Sequence, residues 1–294
     1  MLYLWNGEKE DLKQKLRNKL KWAVSTVLLF FKKAMKDTLS VITICFNNLP
    51  ELIRTCQSVD RQSQHPDEHL VIDGSSNTEI LNWLQSNPQP AYRKWIHEKD
   101  HGIADAFNKG LRNATSSITH LLNSGDIYYD INAVKTVMEL FTKDPSVMWC
   151  HSKYIQHRGN IDIISGVSFD KKQLWKGMRS VAHPGIFIRK EVYTRHEFYD
   201  TNLKVAMDYD MLIRMKDEKF KYIEQPLVYF APGGASDFQF SLGLNEVKES
   251  HRKYIGYSFK QTLWQLRQKA LHYFMQTTIG KKWFQWKNKN NSIQ

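Results

Sequence analysis

The sequence is poor in cysteine, in long apolar runs and, beyond residue 250, in acids of any kind. Cys45, Cys56 and Cys150 are its three cysteines, scattered and without a C-x-x-C pair. That excludes a disulfide framework and a zinc knuckle, and a reducing compartment is expected. The longest apolar run, Ala23 to Phe31, includes Ser25 and Thr26 and covers nine residues, against roughly 20 needed to cross a bilayer. Residues 1–22 mix lysines with acids and no small-residue cleavage site follows, so a cleavable signal peptide is not expected. No G-x-G-x-x-G follows the first predicted strand, which argues against a nicotinamide-dependent oxidoreductase. Internal repeats and low-complexity tracts are missing as well.

What remains is a globular composition: 294 residues, 41% hydrophobic and 24% charged, enough for one large or two modest domains. The net charge of +12 is uneven. Residues 251–294 hold nine Lys/Arg and no acid, and residues 1–39 hold nine against four, which leaves 40–250 at about −2. A nucleic-acid-binding domain needs a basic body or stripe, so no nucleic-acid partner is expected despite the basic ends. Residues 9–36 read as a basic amphipathic helix, with Leu12, Leu16, Leu20, Val24, Val27 and Phe31 at helical steps. Residues 253–287 interleave Trp264, Trp283 and Trp286 with lysines and arginines around a Leu263, Leu266, Ala270, Phe274 stripe. Both suit an anionic membrane surface; the alternative is helices packed back on the body with solvated lysines.

Between these ends strands alternate with helices. Leu39–Phe46 is a β-rich run that stops at Asn47-Asn48, and Pro50 is placed to start a helix. His69–Asp73 is a second strand ending in Gly74-Ser75-Ser76-Asn77, followed by a helix over 78–86 and a strand near Trp95-Ile96-His97. Gly102 opens another helix, and Ile118–Leu122 is a strand ending in Asn123-Ser124-Gly125-Asp126. This alternation predicts a doubly wound parallel sheet, whose ligands bind at the carboxyl ends of the strands. Every polar turn named here falls at such an end. Singly each acid is ambiguous: Asp73 and Asp126 are common turn residues, Asp208 and Asp210 common helix caps, and His183 a plausible core histidine.

Taken in order, these segments resemble family 2 glycosyltransferases of the GT-A fold, notably those that build bacterial colanic acid, O-antigen and capsule polysaccharides. The resemblance rests on Ser40–Asn47, on His69-Leu-Val-Ile-Asp-Gly-Ser75, on Asp100-His-Gly-Ile-Ala-Asp-Ala-Phe-Asn-Lys-Gly110, on Leu121-Leu-Asn-Ser-Gly-Asp126 and on Ala206–Arg214. It covers about 40–236. It implies an α/β GT-A fold, with a Rossmann-like, mostly parallel sheet flanked by helices. A nucleotide-binding half over 39–130 and an acceptor half over 131–240 would lie between a basic helix (1–38) and a basic aromatic helical tail (241–294).

The activity implied is an inverting, metal-dependent transfer of a sugar from a nucleotide diphosphate donor to a lipid-linked or polysaccharide acceptor. Asp208 would be the general base and Asp126 the ligand of a divalent cation, Mn²⁺ or Mg²⁺. Cys45, Asn47, Asp73, Gly102, Asp105, Asn108, Lys109 and Ser124 would line the donor site, with His183 and Asp210 on the acceptor side. The chain would work in the cytoplasm, peripheral to the inner face of the bacterial membrane. Several positions depart from the family pattern: Ser124 replaces a first metal-motif Asp, Gly74 a frequent second Asp, and Met207 a frequent Glu. A catalytically silent nucleotide-sugar-binding protein and a basic nucleic-acid-binding protein are the alternatives.

Overall fold

A computed structural model describes residues 36–158, 161–178, 181–234 and 238–287. The chain divides after Asp37, and the architecture below is that of the unit beginning at Thr38. Apart from Lys36, the helix expected over 9–36 lies outside the described residues.

Four strands, β1 (Leu39–Cys45), β2 (Glu68–Asp73), β3 (Arg93–His97) and β4 (Ile118–Leu121), pair in parallel in the order β3-β2-β1-β4. Helices α1 (Leu49–Asp60), α2 (Glu79–Ser86) and α3 (Ile103–Asn113) make the crossovers. β1, β2 and β4 are buried almost throughout, which is why they read as near-continuous apolar runs. The chain steps outward from β1 to β3 and then returns to the other side of β1, so the strand order reverses beside β1. That reversal opens a crevice at the carboxyl ends of β1 and β4.

Past β4 the sheet becomes mixed. β5 (Ile127–Tyr128), α4 (Ala133–Lys143), β6 (Trp149–Arg158), β7 (Ile161–Ser165), β8 (Ile186–Arg189), α5 (Lys190–His196), α6 (Met207–Arg214) and β9 (Phe220–Phe230) follow in turn. The order continues β4-β8-β6-β9-β5, and β7 folds back on β6. β8 runs antiparallel to both neighbours, and β9 is parallel to β6. The β6–β9 register slips around Lys153, opposite Pro226, where proline has no N–H to offer the ladder. The parallel winding expected from the sequence thus holds from β1 to β4.

Three more helices, α7 (Phe240–Tyr254), α8 (Phe259–Gln276) and α9 (Thr278–Lys287), belong to the same unit, and α7 packs against α6.

The edge of the parallel half is pinned by one buried arginine. Arg93 gives Nε–H to His69 Nδ1 at 3.0 Å and reaches Asp60 at 2.7 Å and the Cys56 carbonyl at 3.2 Å. His69 must therefore carry its proton on Nε2 and donate it to Thr43 Oγ1 at 3.0 Å. Burial, reinforced by the guanidinium, holds this imidazole well below its ordinary pKa. β1, β2, β3 and α1 are joined by that chain of contacts.

Candidate active site

The turn after β4 is built from backbone constraints. Ser124 N–H donates to the Ile44 carbonyl, so the chain runs on beside β1 past the formal end of the strand. Gly125 has φ 103, a conformation open to glycine, and a Cβ there would meet Ala231 Cβ at 3.3 Å. Thr55 on α1 ties the turn down: its Oγ1 accepts from Gly125 N–H at 2.9 Å and donates to the Asp126 carbonyl at 2.8 Å. The outcome is a carboxylate in a fixed place. Asp126 is 3% exposed, and its Oδ1 accepts one N–H, from Ala231 at 2.9 Å.

No ion pair reaches Asp126 among the described residues. Burial therefore dominates, and its pKa is pushed up to about 7, with the Ala231 and Asn123 backbone contacts opposing. In the same turn Asn123 Oδ1 and Ser124 Oγ are buried without a hydrogen-bond partner among the described residues. Two unsatisfied oxygens beside a carboxylate that has no ion-pair partner among the described residues suit a hard divalent cation such as Mn²⁺ or Mg²⁺. Among the described residues no three His, Cys, Asp or Glu converge. The remaining coordination positions would fall to diphosphate oxygens and water.

Asp208 sits in the first turn of α6, half-buried, with Oδ1 accepting from Tyr209 N–H at 2.7 Å. It shares a small cavity of about 10 Å³ with His183, Leu121, Ile186, Tyr199 and Met211, room for one water. Apolar surroundings raise its pKa to about 6, helped by the nearby Glu246 charge. His183 stacks on Phe107, centroids 4.9 Å apart, and its buried Nε2 has no hydrogen-bond partner among the described residues. Desolvation lowers its pKa to about 4, so the ring is neutral. The turn that carries it is held by His120, whose Nε2–H donates to the Pro184 carbonyl at 2.8 Å while Nδ1 meets Tyr128 Oη at 2.7 Å.

Several expected contacts are redirected. Asp73 is wholly buried and both its oxygens are in use. His97 Nδ1 lies 2.7 Å from Oδ2, and Ser75 N–H reaches Oδ1 at 3.0 Å. The outward member of that pair is His97, which the sequence reading passed over. Cys45 lies behind Asp73, buried, its thiol pushed far above the ordinary range by burial and by that acid. It lines no donor surface. Asn47, exposed at the mouth, joins the two loops through Ser75 and Ser76.

Asn108 also leaves the donor side: both ends of its amide bond the Tyr199 backbone, at 2.9 and 3.0 Å. Lys109 is committed to Glu98 at 2.9 Å and to the Lys99 carbonyl at 2.6 Å, so its ammonium buttresses a loop. Asp105 caps His101 N–H at 3.0 Å beside Gly102, which opens α3. Asp210, two residues from Asp208 on α6, points to the other side of the helix. It pairs with Arg214 at 2.8 Å and accepts from Ser250 at 3.1 Å, so it braces α6 rather than an acceptor. The acid absent at Gly74 has a replacement in space, since a Cβ there would fall 1.8 Å from Asp100 Oδ2.

The raised pKa of Asp126 has a definite sign in stability. The folded protein keeps a proton that the unfolded chain releases near pH 4. Stability is therefore lost as pH rises from about 4 to about 7, by up to a few kcal/mol. Asp126→Asn keeps an acceptor for Ala231 and removes the charge. In melts without divalent cation, D126N is expected several degrees above the parent at pH 8, with the gap narrowing at pH 5 and Mn²⁺ stabilising the parent alone. Equal melting temperatures at both pH values would contradict an uncompensated carboxylate.

Comparison with known proteins agrees with this geometry. A family model described as glycosyl transferase family 2 matches residues 40–195. An uncharacterised glycosyltransferase of Mycobacterium tuberculosis is 30% identical over 181 residues, covering 60% of this chain and 68% of that protein. A PGL/p-HBAD biosynthesis glycosyltransferase of Mycobacterium bovis is 26% identical over 171 residues, covering 57% and 65%. Among solved structures, a mannosyltransferase of Pyrobaculum calidifontis in complex with GDP-Man and Mn²⁺ superposes with a TM-score of 0.56 at 16% identity, covering 77% of this chain and 66% of that one. Residues 1–349 of S. aureus TarS in complex with UDP-GlcNAc give 0.57 at 13% identity, covering 76% and 69%; the longer TarS chain is covered over 41%. At such identities the structural likeness speaks for the GT-A fold alone. With the family match over more than half of the sequence, this chain is a glycosyltransferase and belongs to glycosyl transferase family 2.

Proposed function

We propose that the enzyme transfers a sugar, with inversion, from a nucleotide diphosphate donor to a lipid-linked or polysaccharide acceptor in bacterial surface polysaccharide synthesis. The observation that carries the reading is Asp208: a carboxylate raised to about 6 with no ion-pair partner among the described residues, at the carboxyl edge of β4. Such a group is ionised at neutral pH yet basic enough to take a proton. In the displacement, the acceptor hydroxyl oxygen bonds the anomeric carbon as its proton passes to Asp208. The bond from that carbon to the diphosphate breaks, and its electron pair leaves with the phosphate. A divalent cation held by Asp126, with Asn123 and Ser124 beside it, would neutralise the charge that accumulates on the diphosphate. Asn47 and the Asp73–His97 pair face the nucleoside end, and neutral His183 closes the sugar pocket.

Two measurements test this part. Thermal shifts against UDP, GDP, CMP and TDP, each with and without Mn²⁺, should show one metal-dependent stabilisation, about 2.7 kcal/mol at 100 times the dissociation constant. D208N should keep that shift and lose turnover by roughly 10²- to 10⁴-fold. Turnover retained in D208N would remove Asp208 as the base.

The membrane side of the proposal rests on α8, whose polarity is inverted. Gln261, Gln265 and Gln268 face the body, and Gln265 donates to the Leu244 carbonyl at 2.7 Å. Phe259, Leu263, Leu266 and Tyr273 are each more than half exposed along the opposite stripe. Lys260, Arg267 and Lys269 lie on the same helix, and no acid follows residue 250. An apolar stripe set among cations matches an anionic leaflet, where each cation near the surface contributes roughly 1 kcal/mol. No described helix is long and apolar enough to cross a membrane, so attachment would be peripheral, on the cytoplasmic face. The full chain should co-sediment with vesicles containing phosphatidylglycerol and not with pure phosphatidylcholine. The double variant Leu263→Asp, Leu266→Asp should lose at least tenfold in that binding without a change in melting. Unchanged sedimentation would exclude this stripe as the contact.

A further inference from the structure

The residue that sets Asp208 in place lies outside the family match. Asp208 follows a loop, 200–206, that carries no regular structure, and the N–H groups at a helix start have no partners within the helix. In this protein one carboxylate meets three of the N–H groups at that junction. Glu246, on α7 and 5% exposed, accepts from Lys204 N–H through Oε1 and from Val205 and Ala206 N–H through Oε2, all at 2.8 Å. Ala206 is the residue from which α6 starts, and Asp208 is the second residue of that helix. Gly243, one turn earlier on α7, lets the helix close on Val205, with 3.0 Å between its virtual Cβ and the valine side chain. Asp210 and Ser250 fasten the next turns of α6 and α7 at 3.1 Å.

We infer that Glu246 is a positioning residue for catalysis, fixing the 204–206 backbone so that Asp208 faces the acceptor, and that α7 is part of the active site. The inference rests on the reading of Asp208 as the base. Two properties of the contact support it. Hydrogen bonds from amides to an ionised carboxylate are among the strong ones, and three of them on one short loop leave it a single geometry. The second is chemical specificity. A glutamine could supply one oxygen to Val205 and Ala206, but its NH₂ would then face the Lys204 N–H, donor against donor. Glu246 also adds negative charge near Asp208, so the pair is coupled electrically as well as mechanically.

The test uses the full chain and a nucleotide-release assay over UDP-, GDP- and TDP-sugars. It compares Glu246→Gln, Glu246→Asp, the exposed control Glu249→Gln on the same helix, and Asp208→Asn. E246Q should lower kcat at least tenfold, leave the donor KM within twofold, and move the acid limb of the kcat profile to lower pH, because a repelling charge has gone. Amides 204–206 should exchange hydrogen faster, and E249Q should behave as the parent. Should E246Q not fold, E246D decides: it keeps the charge but withdraws it, so kcat should fall with the acid limb in place. Parental kcat and acid limb in folded E246Q overturn the inference. So does a fall in which donor binding is lost to the same degree as turnover. If D208N itself turns over normally, the base assignment has failed; if D208N is inactive and E246Q parental, only the role of Glu246 has.

Discussion

Two carboxylates set in largely apolar surroundings, with no cation among the described residues answering either, are what the rest of this structure is arranged to hold. Burying an ionised group is costly unless it is paired or well hydrogen-bonded, and other buried groups here follow that rule: Arg93 meets Asp60, Asp210 meets Arg214, and Glu246 takes three backbone N–H groups. Asp126 and Asp208 make no such pair among the described residues, and burial lifts them to about 7 and about 6. In the proposed reaction one of them takes a cation from outside and the other a proton. A fold that only needed stability would have neutralised both.

Their placement follows from topology. The parallel half brings Asp126 to the switch point beside β1, and Thr55 and Gly125 lock the turn. The mixed half returns β9 so that Ala231 supplies a backbone N–H to Asp126 Oδ1. Asp208 comes from a third region, braced from α7 through Glu246 and Ser250. The groups proposed for donor-side and acceptor-side chemistry thus come from separate segments, so variants on one side are expected to spare the other.

The parallel half was legible because both its signals are local. Apolar runs of strand length ended in Asn, Gly and Asp at each carboxyl end, and the strand bounds fall within about two residues of those expected. Asp126, Asp208 and His183, to which the proposed chemistry is assigned, were singled out because each lies in a short motif. The pairing of the mixed half was not legible: β6 pairs with β8 and β9 across distances in sequence that no window captures, and the β6–β9 register slips at Pro226. The donor-side contacts that the fold redirects share one cause. Cys45, Asp73, Asn108 and Lys109 sit in the right motifs, but a motif does not say which way a side chain is turned, and in the fold each is spent on a neighbour. His97 and Glu246 carried no signal at all. One is a strand-end histidine and the other a glutamate in an ordinary helical stretch, and only the fold sets the first against Asp73 and the second at the start of α6.

The most direct check is a titration of the aspartate side-chain carboxyls by carbon-13 NMR, with resonances assigned from the D126N and D208N variants. In the free protein two carboxyls should titrate near 7 and 6, and diamagnetic Mg²⁺ with the preferred nucleoside diphosphate should draw the first far downward while the second stays titratable. Both groups titrating in the ordinary range near 4, with no response to metal and nucleotide, would contradict the account.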